Sequence, residues 1–239
     1  MPMGPDEVRL LIERVQAVRD KADRDKSECA KLYTNVSVDR DARLTSFSKL
    51  INVLNSLQLG FTFTSKHLLQ KSWWDLISKA PTPDGDKQVM ANEFVNFLKV
   101  GFVQALVSSV ESSLRILLRS LDVNACHGGM AQFKSIYECL FNSKLDPPPF
   151  QGTDTLDLLR LVRNTIHNNG VYFSPKGADE TVTWRGSPYQ FRQGVAIDFV
   201  TWELLIDIAD DVRRILREVV EDPNVRKLTA QIVDPFSLR

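Results

Sequence analysis

The chain has 239 residues, of which 43% are hydrophobic and 25% are charged, so its composition is that of an ordinary soluble globular protein and excludes a disordered or fibrous chain. The 30 lysines and arginines balance the 30 aspartates and glutamates. With a net charge of +0, any phosphate-binding site must be a local patch. The N-terminus lacks the apolar segment of a secretory signal, and the apolar run at 102–110 is interrupted and too short to span a bilayer. We therefore expect a cytoplasmic protein without membrane contact.

The cysteines and histidines are few and widely spaced. Cys29, Cys126 and Cys139 include no CxxC pair, which excludes a disulfide framework and a zinc ribbon, and we expect reduced, mostly buried thiols. The three histidines include no closely spaced pair, so no metal site is predicted. No glycine-rich nucleotide motif or serine-hydrolase elbow is present, and we expect no cofactor.

The first segment, 6–33, has apolar residues at alternating spacings of three and four, which predicts a long amphipathic helix with a heptad stripe. Asp25 is the one polar residue on this stripe, whose apolar members are Val8, Leu11, Val15, Val18, Ala22, Cys29 and Leu32. Such a stripe packs against its own chain or against a second copy. A protein partner that binds through this helix is one expectation.

The rest of the chain is also mainly helical in pattern. Helical periodicity is found in the segments 41–59, 65–80, 86–121, 130–142, 153–168 and 197–220. The Pro- and Gly-rich cluster 81–85 predicts the main boundary, with an N-terminal helical extension at 1–83 and a second helical domain at 84–239. The fold class predicted is an all-α bundle of about seven helices with one small β-hairpin.

The predicted hairpin consists of two short apolar segments, 171–173 and 181–184, and 189–191 adds a third short strand. Tyr172 and Trp184 on this hairpin are expected to contact RNA or a partner. For the pair Trp73-Trp74 we favour packing over base stacking, because adjacent residues on a helix point about 100° apart. Cys126-His127 resembles a nucleophile with its base, but adjacent side chains point apart, so we favour a simple turn.

The segment 157–170 carries the most informative pattern. At about 100° per residue, Arg160, Arg163 and Asn164 lie within roughly 60° of His167, and leucines occupy the other side of the helix. One interpretation is a solvated face at a helix C-terminus, which favours cations. The other is catalytic, since a guanidinium suits a phosphate and a histidine transfers protons near neutral pH.

The run Arg163-Asn164-Thr165-Ile166-His167, followed by Asn and Gly, resembles the signature helix of HEPN domains. These all-α modules occur in many bacterial RNases of toxin–antitoxin, phage-defence and CRISPR systems, and carry an arginine, often followed by asparagine, then a histidine after about four to six residues. Three residues separate Arg163 from His167, and six separate Arg160 from it, so either arginine is a candidate. The segment 86–121, with Glu111, resembles the family's earlier long helix. The resemblance covers about 86–220.

This resemblance implies a metal-independent endoribonuclease. His167 would act as a general base or acid on a ribose 2′-hydroxyl, and Arg163 or Arg160 would stabilise the charged phosphoryl group. Asn164 would orient a neighbour or contact the backbone. Glu111 would hold an arginine or tune His167, or face solvent, and Tyr172 would support the site.

The resemblance also implies partners and products. RNA would be the substrate, and the products would carry a 2′,3′-cyclic phosphate. Two copies would form a homodimer with both Arg/His sets in one cleft. Two other hypotheses remain open, both for a defence or toxin–antitoxin system: a non-catalytic interaction module, and a module that senses a nucleotide through Arg160 and Arg163.

Overall fold

The computed structural model describes residues 4–78, 80–125 and 132–238. Within these residues the chain is an all-α bundle with one antiparallel hairpin, which confirms the predicted fold class. The helices are α1 (Pro5–Ala30), α2 (Ala42–Phe63), α3 (Lys71–Ile77), α4 (Asp84–Leu121), α5 (Phe133–Ser143), α6 (Gly152–His167), α7 (Trp202–Glu221) and α8 (Pro223–Arg226). The strands are β1 (Glu180–Trp184) and β2 (Ser187–Phe191), and shorter turns of helix follow at Thr64–Leu68 (π) and Pro235–Leu238 (3₁₀).

The heptad stripe of α1 packs inside the chain. The helix begins at Pro5, whose fixed φ suits a first helical turn, and the Glu7 carboxylate accepts the Gly4 amide at 3.4 Å. The predicted apolar positions from Val8 to Cys29 are buried, and the helix packs on α2 and α7. Leu32, beyond the end of the helix, is 40% exposed. The apolar surface on which a protein partner was expected is therefore covered by the chain itself.

Asp25, the polar member of the stripe, is buried with two cationic partners. Arg217 of α7 donates to one of its carboxylate oxygens at 2.7 Å, and Arg213 of α7 donates to the other. A buried carboxylate is tolerated when its charge is paired and its oxygens are hydrogen-bonded. Asp25 thus joins α1 to α7 at a position where the heptad pattern predicts an apolar residue.

One hydrophobic core joins the helices on both sides of the predicted boundary at residue 83. It contains Val15 of α1, Leu54 of α2, Leu106 of α4, Leu159 of α6 and Ile208 of α7. Helix α2 packs directly on α4 and α7. The core therefore continues across the predicted boundary before α4.

The C-terminal segment after α8 returns to the start of α2. The Ala42 amide donates to the Ile232 carbonyl at 2.7 Å, and the Asp234 amide donates to the Arg40 carbonyl at 3.0 Å. Farther along α2, Lys49 forms a buried ion pair with Asp234 at 2.7 Å. These contacts hold residues 232–234 against α2.

The predicted hairpin is wrong in its pairing. Strand β1 pairs with β2, and the segment 171–173 forms only an isolated bridge between Val171 and Ala196. The turn between the strands is Arg185-Gly186, with φ values of 50° and 78°. Two successive positive φ angles are the geometry of the tight two-residue turn that matches the twist of paired strands. The predicted third strand at 189–191 is therefore part of β2.

Candidate functional site

Helix α6 has one buried face and one accessible face, as its sequence predicts. Its leucines and Val162 are buried, whereas Arg163 and Asn164 are half-buried and His167 is exposed. The helix ends at His167, and Gly170 follows with a φ of 83°, a conformation that glycine adopts without strain. His167 therefore lies at the surface in the last turn of α6.

Arg160 belongs to a partly buried network and not to the exposed end of α6. Its guanidinium donates to Asp157 at 3.0 and 3.2 Å and to Glu180 of β1 at 3.4 Å, and its side chain is 17% exposed. The Tyr137 hydroxyl of α5 also donates to Asp157, at 2.6 Å. Burial and this contact with the carboxylate raise the pKa of Tyr137, so its hydroxyl stays a donor. Arg160 thus links α5, α6 and β1.

Tyr172 and Trp184 are buried, so the expectation that they contact RNA or a partner is wrong. The Tyr172 hydroxyl donates to Glu180 at 2.5 Å, and burial together with this bond raises its pKa to about 12. The indole of Trp184 donates to the Thr155 hydroxyl of α6 at 3.1 Å. Both rings stay in the core because their polar atoms find partners inside the chain. Tyr172 is linked to Arg160 through Glu180.

Arg163 and Asn164 form a pair on the accessible face of α6. The Arg163 Nη1 group donates to the Asn164 side-chain oxygen at 3.0 Å. In turn, the Asn164 carbonyl accepts from the Asn168 side chain at 3.1 Å. An uncharged partner orients the guanidinium without neutralising it, unlike the two carboxylates that surround Arg160. Of the two candidate arginines, Arg163 is the one without a carboxylate partner among the described contacts.

His167 is held by a residue from another helix. Its Nε2 atom lies 2.9 Å from the Gln104 side-chain oxygen of α4, and the Gln104 amide group donates to the Ser108 hydroxyl at 3.2 Å. In the neutral tautomer that fits this contact, Nε2–H donates to the Gln104 oxygen and Nδ1 is left as an acceptor. This tautomer would offer Nδ1 as a base.

Gln104 and Ser108 are contributors to the site that the sequence analysis missed. They lie four residues apart on α4, so they share a face of that helix. No sequence motif marks them, because their relation to His167 depends on how α4 and α6 cross.

Glu111 lies seven residues after Gln104, on the same face of α4. Its carboxylate accepts from Arg115 at 2.5 Å, with both side chains about a quarter exposed. This contact fits the role of holding an arginine. The other expected role, tuning His167, stays a prediction.

The described residues contain no group of three or more His, Cys, Asp or Glu side chains placed to hold a metal ion. Cys29 is buried, and burial raises the pKa of its thiol to about 12, while Cys139 is half-buried. Cys126 and His127, interpreted above as a turn, lie outside the described residues.

Helix α4 is long and apolar enough to cross a membrane by length and composition, although core helices of soluble proteins meet the same criterion. Phe102, Val103, Leu106 and Val110 of this helix lie in the core of the bundle. The cytoplasmic location stays a prediction.

Comparison with known proteins returns no match to a protein-family model, to a curated protein or to a solved structure. The argument for a function therefore depends on the short motif in α6 and on the geometry around it.

Proposed function

We propose that this protein is a metal-independent endoribonuclease of the HEPN type, with Arg163 and His167 at its reactive centre. The observation that carries the proposal is the exposed His167 ring, fixed by Gln104, one helical turn from the Arg163–Asn164 pair. Arg160 has a structural role in this proposal, because its guanidinium is already bound by Asp157 and Glu180.

The reaction proposed is an internal transesterification of RNA. Nδ1 of His167 accepts the proton of a ribose 2′-hydroxyl, and the 2′-oxygen forms a bond to the adjacent phosphorus. The bond from phosphorus to the 5′-oxygen of the next nucleotide breaks, leaving a 2′,3′-cyclic phosphate and a 5′-hydroxyl. Arg163 stabilises the negative charge on the phosphoryl oxygens, and Asn164 keeps the Arg163 guanidinium in place.

The leaving 5′-oxygen needs a proton, and each copy of α6 presents one exposed histidine. In a homodimer whose two sites share a cleft, His167 of the second copy would donate this proton from Nδ1 in its imidazolium form, while His167 of the first copy takes the 2′-hydroxyl proton in its neutral form. The proposal therefore includes a homodimer, and RNA is its substrate.

The test is incubation of purified protein with total RNA and with tRNA in EDTA, followed by analysis of the product ends. We expect His167→Ala to lower the cleavage rate by about 10²-fold or more, since general acid–base catalysis contributes that much. We expect Arg163→Ala to lower it by a similar factor, because charge stabilisation at the phosphoryl group is lost. Circular dichroism should show both variants folded, since both side chains lie at the surface or half-buried.

Matched controls are His67→Ala and Arg192→Ala, which remove the same residue types elsewhere on the chain and should leave cleavage unchanged. Absence of cleavage by the wild type, or equal cleavage by folded His167→Ala, would overturn the proposal. In that case a nucleotide-sensing module would be identified by a rise in melting temperature with added nucleotide that is lost in Arg163→Ala.

A further inference from the structure

A groove of about 700 Å³ runs between α2 and α4. Its α2 side includes Val53 and Leu57, and its far end is closed by the Lys49–Asp234 ion pair and the ring of Phe236. Small residues from α4 form much of the other side, namely Gly101, Ala105, Ser108, Ser109 and Ser112.

Gly101 has no role that its own chain explains. It lies exposed in the interior of α4, and a Cβ atom at this position would meet no atom within 4 Å. At Gly60 of α2, by contrast, a Cβ atom would lie 2.7 Å from the side chain of Leu98. A glycine inside a helix costs about 1 kcal/mol relative to alanine. The close approach of a second backbone would account for Gly101, because small residues allow helices to cross at short distance.

The same face of α4 forms an exposed, uncharged stripe. Met90, Phe97, Gly101, Ala105 and Ser108 lie within an arc of about 80° around the helix. Phe97 is 70% exposed and Met90 is 53% exposed. Charged residues, which disfavour burial at the centre of an interface, are missing from these five positions.

We propose that the occupant of this groove is a second copy of the chain, whose α4 crosses the first in antiparallel orientation at Gly101. Under that two-fold symmetry, residues equally distant before and after Gly101 face each other. Large residues then meet small ones near both ends of the stripe, in the pairs Phe97 with Ala105 and Met90 with Ser112. Each Phe97 ring fills the groove of the other copy.

The dimensions of the surface suit a stable dimer. The stripe from Met90 to Ser112 is about 33 Å long, and α2 with α4 is about 20 Å wide. The resulting footprint of about 660 Å² lies within the roughly 600–1,000 Å² per partner of standard interfaces.

The crossing point also lies next to the candidate site. Gln104, which holds His167, borders the stripe less than one turn from Gly101. A crossing at Gly101 therefore brings two His167 residues to the same region of the dimer. This last consequence depends on the proposed function, whereas the surface itself does not.

The experiment measures the mass of the full chain in solution by sedimentation, across a wide range of concentrations. The wild type should have twice the 27.1 kDa mass of one chain. Gly101→Leu and Phe97→Ser should each reduce it to that of one chain. Asn96→Leu is the matched control, since Asn96 is exposed on α4 outside the stripe, and it should remain dimeric.

Circular dichroism and melting curves of the same variants separate loss of the dimer from loss of the fold. Gly101→Leu should fold, because the new side chain enters open space and because leucine favours a helix more than glycine does. Gly101→Cys should give a disulfide-linked dimer on mild oxidation, whereas Asn96→Cys and the wild type should not. A monomeric wild type, or a dimer that persists in both Gly101→Leu and Phe97→Ser, would overturn the proposal.

RNA cleavage by the same proteins distinguishes the two proposals. A wild-type dimer that these variants dissociate but that never cleaves RNA refutes the nuclease and supports the interface. Cleavage by a monomeric wild type refutes the interface and the proton donor from a second copy, and supports only the roles of His167 as base and of Arg163 within one chain.

Discussion

At the scale of single residues, the substitution Asp25→Ala tests how much the stability of the fold depends on the ion pairs between α1 and α7. Asp25→Ala leaves the Arg213 and Arg217 guanidinium groups without their shared carboxylate in a mostly buried place. We expect unfolding free energy to fall by about 3 kcal/mol, near the lower end for a broken buried pair, since Arg213 keeps Asp210 and Arg217 keeps Glu221. Urea unfolding measures this loss.

The control for this prediction is Asp6→Ala, which removes a carboxylate that is 95% exposed on the same helix. Its effect should stay within about 0.5 kcal/mol, as for most surface substitutions. An equally small effect of Asp25→Ala would mean that the two arginines find other partners and that their ion pairs with Asp25 add little to the stability of the fold.

Residues whose roles depend on local spacing were predictable, and those that depend on helix crossings were not. The two faces of α6 follow from the periodicity of one segment, so the exposure of His167 could be read from the sequence. The partner of His167 could not, because nothing in the order of residues relates position 104 to position 167. For the same reason, the two arginines of α7 that pair with Asp25 could not be predicted from the sequence.

At the scale of elements, the β1–β2 hairpin depends on the turn residue Gly186. Its φ of 78° lies in the left-handed region, where a side chain costs about 1–2 kcal/mol. Gly186→Ala should therefore lower the unfolding free energy by about 1 kcal/mol in urea unfolding. Gly85→Ala in the first turn of α4 is the control, where open space and helix propensity predict no loss. A neutral Gly186→Ala would show that the turn changes its conformation without strain.

The error in the predicted hairpin has a physical cause. The apolar run 171–173 has the composition of a strand, but a two-residue turn at Arg185-Gly186 allows β1 to pair with the next segment along the chain. Arginine is not typical at a position with positive φ, so this turn gave a weak signal in the sequence. Here Arg185 is held by Asp211 of α7 at 2.5 Å, a contact that only the folded chain provides. Tyr172 was consequently expected at a surface that it does not reach.

At the scale of the whole molecule, the core and the candidate site draw on both parts of the chain. Helix α4 packs on α2 through its buried face, holds His167 through Gln104, and presents the stripe around Gly101 to solvent. The breaker cluster before α4 correctly marked a break between helices, since α3 ends at Ile77 and α4 begins at Asp84. Composition alone could not tell a turn within one core from a linker between two, since that depends on which apolar faces meet.

The shared core predicts that the segments 1–83 and 84–239 do not fold separately. Expressed alone, the second segment would expose the faces of α4 and α7 that α1 and α2 cover, including the side chains around Leu106 and Ile208. We expect each fragment to lack a cooperative unfolding transition in urea, and a mixture of the two to regain it. Cleavage of the folded full chain at a protease site inserted between Pro81 and Pro83 is the matched control, and should leave the helical signal intact because the packing survives the cut. Cooperative unfolding of 84–239 by itself would instead establish an independent domain, and α1 and α2 would then be an added layer on it.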